Sequence, residues 1–119
     1  MIEEKRELGK VKIDNDVLAS IAGIAATQVK GVCKVVTSLV GGIAKFFRKT
    51  PDVGIKVILG EGEVSFELGI AVEYGVNIPE ITYQVQKKIK EEVERMSGLV
   101  VSNVDVIVKE VREIKKEKE

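Results

Sequence analysis

Residues 63–98, EVSFELGIAVEYGVNIPEITYQVQKKIKEEVERMSG, carry two periods in succession, and the switch between them decides the fold. Val64, Phe66, Leu68, Ile70, Val72 and Tyr74 alternate with Ser65, Glu67, Gly69, Ala71, Glu73 and Gly75. A period of two sets the first row against a core and the second toward water or small neighbours. From Ile78 onward the apolar residues fall at Ile81, Val85, Ile89, Val93 and Met96, steps of three and four that trace one helical stripe. Asn77 with Glu80 three residues later predicts a capping box, Pro79 fits the first turn where its missing N–H is no loss, and Ser97-Gly98 ends the helix. Lys87-Glu91, Lys88-Glu92, Lys90-Glu94 and Glu91-Arg95 have i,i+4 spacing and mark a solvated face.

Outward from this strand and helix, the chain yields shorter elements. Residues 1–8 form a charged lead-in, and Gly9 to Ile13 alternate as a short edge strand. Asp14 or Asn15 can cap a helix whose buried side is predicted to hold Val17, Leu18, Ile21, Ile24, Ala25, Gln28 and Val29; Gly31 closes it. Ala19, Ala22, Gly23, Ala25 and Ala26 make that helix narrow enough to lie close to a neighbour. Gly31 to Ser38 and Ile55 to Leu59 are rich in β-branched residues and predict strands, the second joined to the long strand by a Gly60-Glu61-Gly62 hairpin. A last strand runs from Leu99 to Val111. Leu99 and Val101 have one parity and Val104, Val106 and Val108 the other, which a bulge near Ser102-Asn103 reconciles. A strand followed by a crossover helix leads into a parallel neighbour. The expected fold is therefore α+β: a small mixed β-sheet covered on one face by two helices, with an amphipathic insert between strands. Residues 9–111 form a single domain and 112–119 a charged tail.

Composition narrows the chemistry. In 119 residues, 45% hydrophobic and 32% charged, there is room for one core and no second domain. Nineteen basic residues balance nineteen acidic ones, so no global field draws the chain to nucleic acid or an anionic membrane. With no histidine and one cysteine, Cys33, the chain lacks the usual neutral-pH base and any internal disulfide, and Cys33 in mid-strand is expected to be a packed, inert thiol. Glu61, Glu63, Glu67 and Glu73 form a solvated row that could offer at most a weak cation site. No phosphate-loop or dinucleotide motif is present, no cofactor is expected, and the chain is not expected to be an enzyme. The N-terminus has no apolar core of a signal peptide, and no apolar run approaches the roughly 20 residues that span a bilayer.

Residues 39–49, LVGGIAKFFRK, are not explained by the fold. Leu39, Val40, Ile43, Ala44, Phe46 and Phe47 share one broad helical sector; Lys45, Arg48 and Lys49 share the other, with Gly41 and Gly42. Two of the three phenylalanines of the chain are here. The two glycines, each costing about 1 kcal/mol relative to alanine, oppose an autonomous helix. The pattern suits a turn folded on its own domain, and equally a contact with a second copy, a partner protein or a membrane surface. Leu39, Val40, Ile43, Lys45, Phe46, Phe47, Arg48 and Lys49 are the candidate contact residues.

Gly69 to Glu80, then Glu94 to Leu99, then Val104-Asp105-Val106, together with Gly9 to Ile13, Ile21-Ala22 and Gly31-Val32 in matching order and spacing, resemble the alkaline shock protein family of Gram-positive envelope stress response proteins. Glu73, Tyr74, Gly75 and Pro79 carry the most specific part of the motif. The resemblance covers roughly residues 9–111. It implies a small cytoplasmic, non-enzymatic protein, peripheral to the membrane, that self-associates as a homo-oligomer and contacts a membrane-anchored or envelope-related protein, with links to fatty-acid or envelope metabolism. The family offers no catalytic residues to carry over. The alternative, a small RNA-binding module, fits a helix-covered sheet with three basic insert residues, but a basic stripe and strand-borne stacking aromatics are missing.

Overall fold

The computed structural model describes residues 2–36 and 54–114. In chain order it contains β1 (Ile2–Arg6), β2 (Gly9–Ile13), α1 (Asn15–Thr27), β3 (Val32–Val36), β4 (Lys56–Leu59), β5 (Glu63–Glu73), α2 (Ile78–Ser97) and β6 (Val100–Arg112). The charged lead-in is thus a strand. β1 pairs antiparallel with β2 from Ile2↔Ile13 to Arg6↔Gly9, so Gly9 to Ile13 belong to a separate hairpin and not to an edge of the main sheet.

β5 is the axis of that sheet. β6 pairs with it in parallel from Glu63↔Val100 to Glu73↔Arg112, and β3 and β4 pair with it antiparallel. β3 meets Gly69 to Val72 and β4 meets Val64 to Glu67, so the two short strands lie end to end along the edge that β6 leaves open. The sheet is mixed, and with two helices the architecture is α+β, as expected. The expected bulge is present: Val64 pairs with Val101 but Ser65 with Asn103, which leaves Ser102 as the extra residue. A second shift, between Ile70↔Val108 and Ala71↔Glu110, leaves out Lys109.

The even-numbered row of β5, Val64, Phe66, Leu68, Ile70 and Val72, is buried, and it packs with Val85, Ile89 and Val93 of α2 and with Leu18, Ile21, Ala22, Ala25 and Ala26 of α1. Burying each large side chain of this set is worth about 1.5–3 kcal/mol. The small residues of α1 do the close packing that the sequence suggests, but they also rotate its buried side. Ala19, Ala22, Gly23 and Ala26 face inward, while Val17 and Ile24, expected in the core, are 49% and 56% exposed. Met96, expected to end the α2 stripe, is 59% exposed, and Tyr74, expected in the buried row of β5, is 76% exposed because the strand ends at Glu73.

Local signals set the helix ends. Asp14 caps α1, accepting from Asp16 N–H at 3.1 Å, and Asn77 caps α2, accepting from Glu80 N–H at 3.0 Å. The carboxylate of Glu80 does not complete a capping box; it accepts from Gln84 Nε2 at 2.8 Å. Gly98, at φ 79°, closes α2 with its N–H on Glu94 O. α1 ends earlier than expected, at Thr27 with Gln28 as its cap, and Gly31 turns the chain into β3 at φ 102°. Of the i,i+4 pairs, Lys90–Glu94 forms at 2.8 Å, whereas Arg95 pairs with Glu92 at 2.7 Å, one turn position nearer.

Candidate functional site

The eight candidate contact residues, Leu39, Val40, Ile43, Lys45, Phe46, Phe47, Arg48 and Lys49, lie outside the described residues. The structure does fix the places where their segment leaves and rejoins the sheet. Val36, the last residue of β3, pairs with Gly69, and Lys56, the first of β4, pairs with Glu67. Both junctions therefore lie on β5 at either side of Leu68, so β3 and β4 meet the same edge with a break between Val36 and Lys56. Beside this break is a shallow cleft lined by Gly54, Lys56, Glu67, Gly69, Ile107 and Lys109. The Lys109 stem crosses directly over Gly69, where a Cβ would stand 2.8 Å from it.

The residues of the family motif form a corner. Glu73 N–H donates to Gly31 O at 2.9 Å and Tyr74 N–H to Arg112 O at 2.8 Å, so the corner ties the start of β3 and the end of β6 to the end of β5. Gly75 then turns at φ 100°, and Pro79 stands in the first turn of α2. Gly31 lies close under this corner to both Ile81 and Val76, whose side chains would stand 2.9 Å and 3.2 Å from a Cβ at that position. Most of the motif is thus architectural, and Tyr74 is the large side chain of it presented to solvent.

Two further surfaces could not be read from the sequence. Between the helices, exposed Val17, Ile24 and Met96 line an apolar groove with Ile21 and Ala25, rimmed by Asp16 and Glu92. These residues carry a core-like periodicity, so the sequence signal pointed inward. At the seam of α2 and β6, Glu94 Oε2 accepts from Val101 N–H at 2.9 Å, Lys90 Nζ donates to Val101 O at 3.2 Å, and Gln86 Nε2 donates to Val104 O at 2.9 Å. The Lys90 hydrogen bond first, and then that of Val101 N–H, hold the Glu94 carboxyl below its ordinary value. Arg95 acts on Glu92 in the same direction. Nothing in the sequence distinguishes Gln86 or Glu94 from the other polar residues of a solvated helix face; their role appears only when β6 lies beside them.

Cys33 is half-buried, more open than the packed thiol expected. Among the described residues no group of three or more His, Cys, Asp or Glu could hold a metal ion, and the glutamates of β5 do not form one. No helix among them is long and apolar enough to cross a membrane.

These features define a small α+β domain built on one mixed sheet and two helices. The chain belongs to the alkaline shock protein 23 family, which has a cell envelope-related function, matched over residues 3–113. It is 31% identical to the uncharacterized protein YloU of Bacillus subtilis over 93% of this chain and 95% of that one. It is 32% identical to YqhY of the same organism over 89% of this chain and 79% of that one. A Streptococcus pyogenes protein named as a stress response regulator gls24 homolog is 29% identical over 87% of this chain and 59% of its own length. Among solved structures, a variant of MamM-CTD superposes with a TM-score of 0.53 at 12% identity, over 84% of this chain and the whole of that one, a likeness of fold alone.

Proposed function

We propose that this protein is a non-enzymatic adaptor of the envelope stress response, cytoplasmic and peripheral to the membrane, that associates with copies of itself and with a membrane-associated partner. The observation that carries the reading is the register at the broken edge: Val36↔Gly69 and Lys56↔Glu67 bring both ends of residues 37–53 to one place on a sheet packed over its whole helix face. A sequence that places Phe46 and Phe47 beside Lys45, Arg48 and Lys49, between two strands held close together on a rigid body, suits contact with a partner surface of apolar and acidic character. The relatives named as stress response regulators, a regulatory and not a catalytic designation, support the same reading.

The test compares the wild type with Phe46→Ser/Phe47→Ser and with Lys45→Glu/Arg48→Glu/Lys49→Glu. Flotation with phosphatidylglycerol-containing vesicles and analytical ultracentrifugation are the readouts. The serine variant is expected to keep its melting temperature and lose vesicle recruitment or assembly; the charge variant is expected to lose vesicle binding most at low salt. Three proteins that behave alike in both assays would rule out the segment as the contact.

A further inference from the structure

The outer edge of β6 is finished differently along its two halves. At its start α2 covers it, with Glu94 and Lys90 taking both backbone groups of Val101 and Gln86 taking the carbonyl of Val104. Alternation beyond the Ser102 bulge makes Val106 and Val108 the next residues whose N–H and C=O point away from β5. Among the described residues nothing pairs with them. An uncovered edge of β-branched residues is a template for another strand, and the usual protections against it are a covering element, charges or a bulge. Here those protections stop at Val104 and resume at Lys109, which leaves a short open window between them.

We infer that this window pairs antiparallel with the same window of a second copy, about a twofold axis through Ile107. The inference rests on the proposed self-association, assigns that contact to β6, and leaves residues 39–49 to the membrane-side partner. Self-complementarity of the window selects a second copy as the occupant. An isologous contact sets each residue opposite its mirror position about the axis. Centred on Ile107, Asp105 of each copy faces Lys109 of the other on the open face, 44%-exposed Ile107 meets itself between them, and Val106 faces Val108 on the helix side. Val106 and Val108 are then the hydrogen-bonded positions, and Ile107 and the charged pairs take the closer, non-bonded positions where cross-strand side chains interact most strongly. Neighbouring registers lose this match. Centring on Val106 sets Asp105 against Ile107, and centring on Val108 sets Asp105 against Val111 and Ile107 against Lys109. Lys109 is exposed, so its flexible stem can swing from Gly69 to the edge.

The register makes an unusual demand on charge variants. Asp105→Lys places only cations at the facing positions of a homodimer and Lys109→Asp only anions, yet an equimolar mixture restores both opposite-charge pairs. Sedimentation velocity at low salt, with circular dichroism to verify folding, is expected to show a wild-type dimer weakened about tenfold or more in each single variant. The mixture and the double variant Asp105→Lys/Lys109→Asp are expected to return to the wild-type constant, and Ile107→Lys to abolish dimerisation. A monomeric wild type would overturn the self-association reading together with this interface. A wild-type dimer indifferent to these variants, or single variants that the mixture does not rescue, would overturn the β6 interface alone.

Discussion

The two edges of β5 differ in how they are built. On one side β6 follows it from Glu63 to Glu73 with two bulges, and on the other β3 and β4 divide the same length between them. Both flank one buried row, so neither edge's irregularity reaches the core: Phe66 is buried although its β4 partner Val57 is only half-buried. Stability resides in the centre of the sheet, and the edges are free to carry breaks, bulges and contacts. In the centre, Phe66→Ala is expected to cost about 3–5 kcal/mol, a large share of the roughly 5–15 kcal/mol that holds such a domain together. Ile58→Ser on half-exposed β4 is expected to stay within about 0.5 kcal/mol. Equal shifts in urea midpoint for the two variants would mean that the edge is as much a part of the core as the centre.

A second, smaller effect tests the corner where both edges are tied to β5. Gly31 accepts from Glu73 N–H, adopts φ 102°, and leaves only 2.9 Å between a would-be Cβ and Ile81 Cδ1. Gly31→Ala therefore combines a disfavoured backbone with a close contact and is expected to cost about 1–3 kcal/mol. The measurement is again the urea midpoint, with amide exchange at Glu73 to show whether the loss is local. An unchanged midpoint would mean that the corner merely follows the strands it joins.

The fold was legible where one residue pattern has one structural meaning. The parity of Val64 to Val72, the change of period at Ile78, the Asn77 cap and the Ser102 bulge all follow from counting residues, because a strand and a helix repeat at fixed intervals. Failures occurred where several apolar residues competed for one face. α1 offers both Val17 and Ile24 and a row of alanines, and close approach to the sheet selected the alanines, a choice that depends on the distance between elements and not on the helix alone. Tyr74 continued the β5 alternation, but Gly75 ended the strand one residue too early for it. Strand β1, with its Ile2-Glu3-Glu4-Lys5-Arg6 sequence, was hidden because a hairpin paired away from the main sheet needs no apolar row. The candidate contact residues 39–49 were found by what the fold did not require, and only the junctions at Val36 and Lys56 carry that reading into the structure. The β6 window had no sequence signal of its own, since it is defined by what α2 leaves uncovered.

The smallest effect concerns the device that closes the first part of the β6 edge. Glu94 is a half-buried carboxylate held by Lys90 and by Val101 N–H, which keep its folded value below the ordinary 4.5. A carboxyl with a depressed folded value contributes stability that is fully present above the ordinary value and is lost as pH falls through the folded one. Glu94→Gln retains an oxygen that can accept from Val101 N–H but gives up the charge. The variant is therefore expected to melt slightly below the wild type near neutral pH, with the gap narrowing from about pH 4.5 downward and closing in acid. Added salt should shrink the gap at neutral pH, because solvent reaches both Lys90 and Glu94. A gap that persisted unchanged into acid would show that Glu94 acts through shape and hydrogen bonding alone. If Val101 N–H also exchanged faster in the variant than Val93 N–H inside α2, the edge would have opened without the helix fraying, and the carboxylate would be the group that keeps this half of β6 shut.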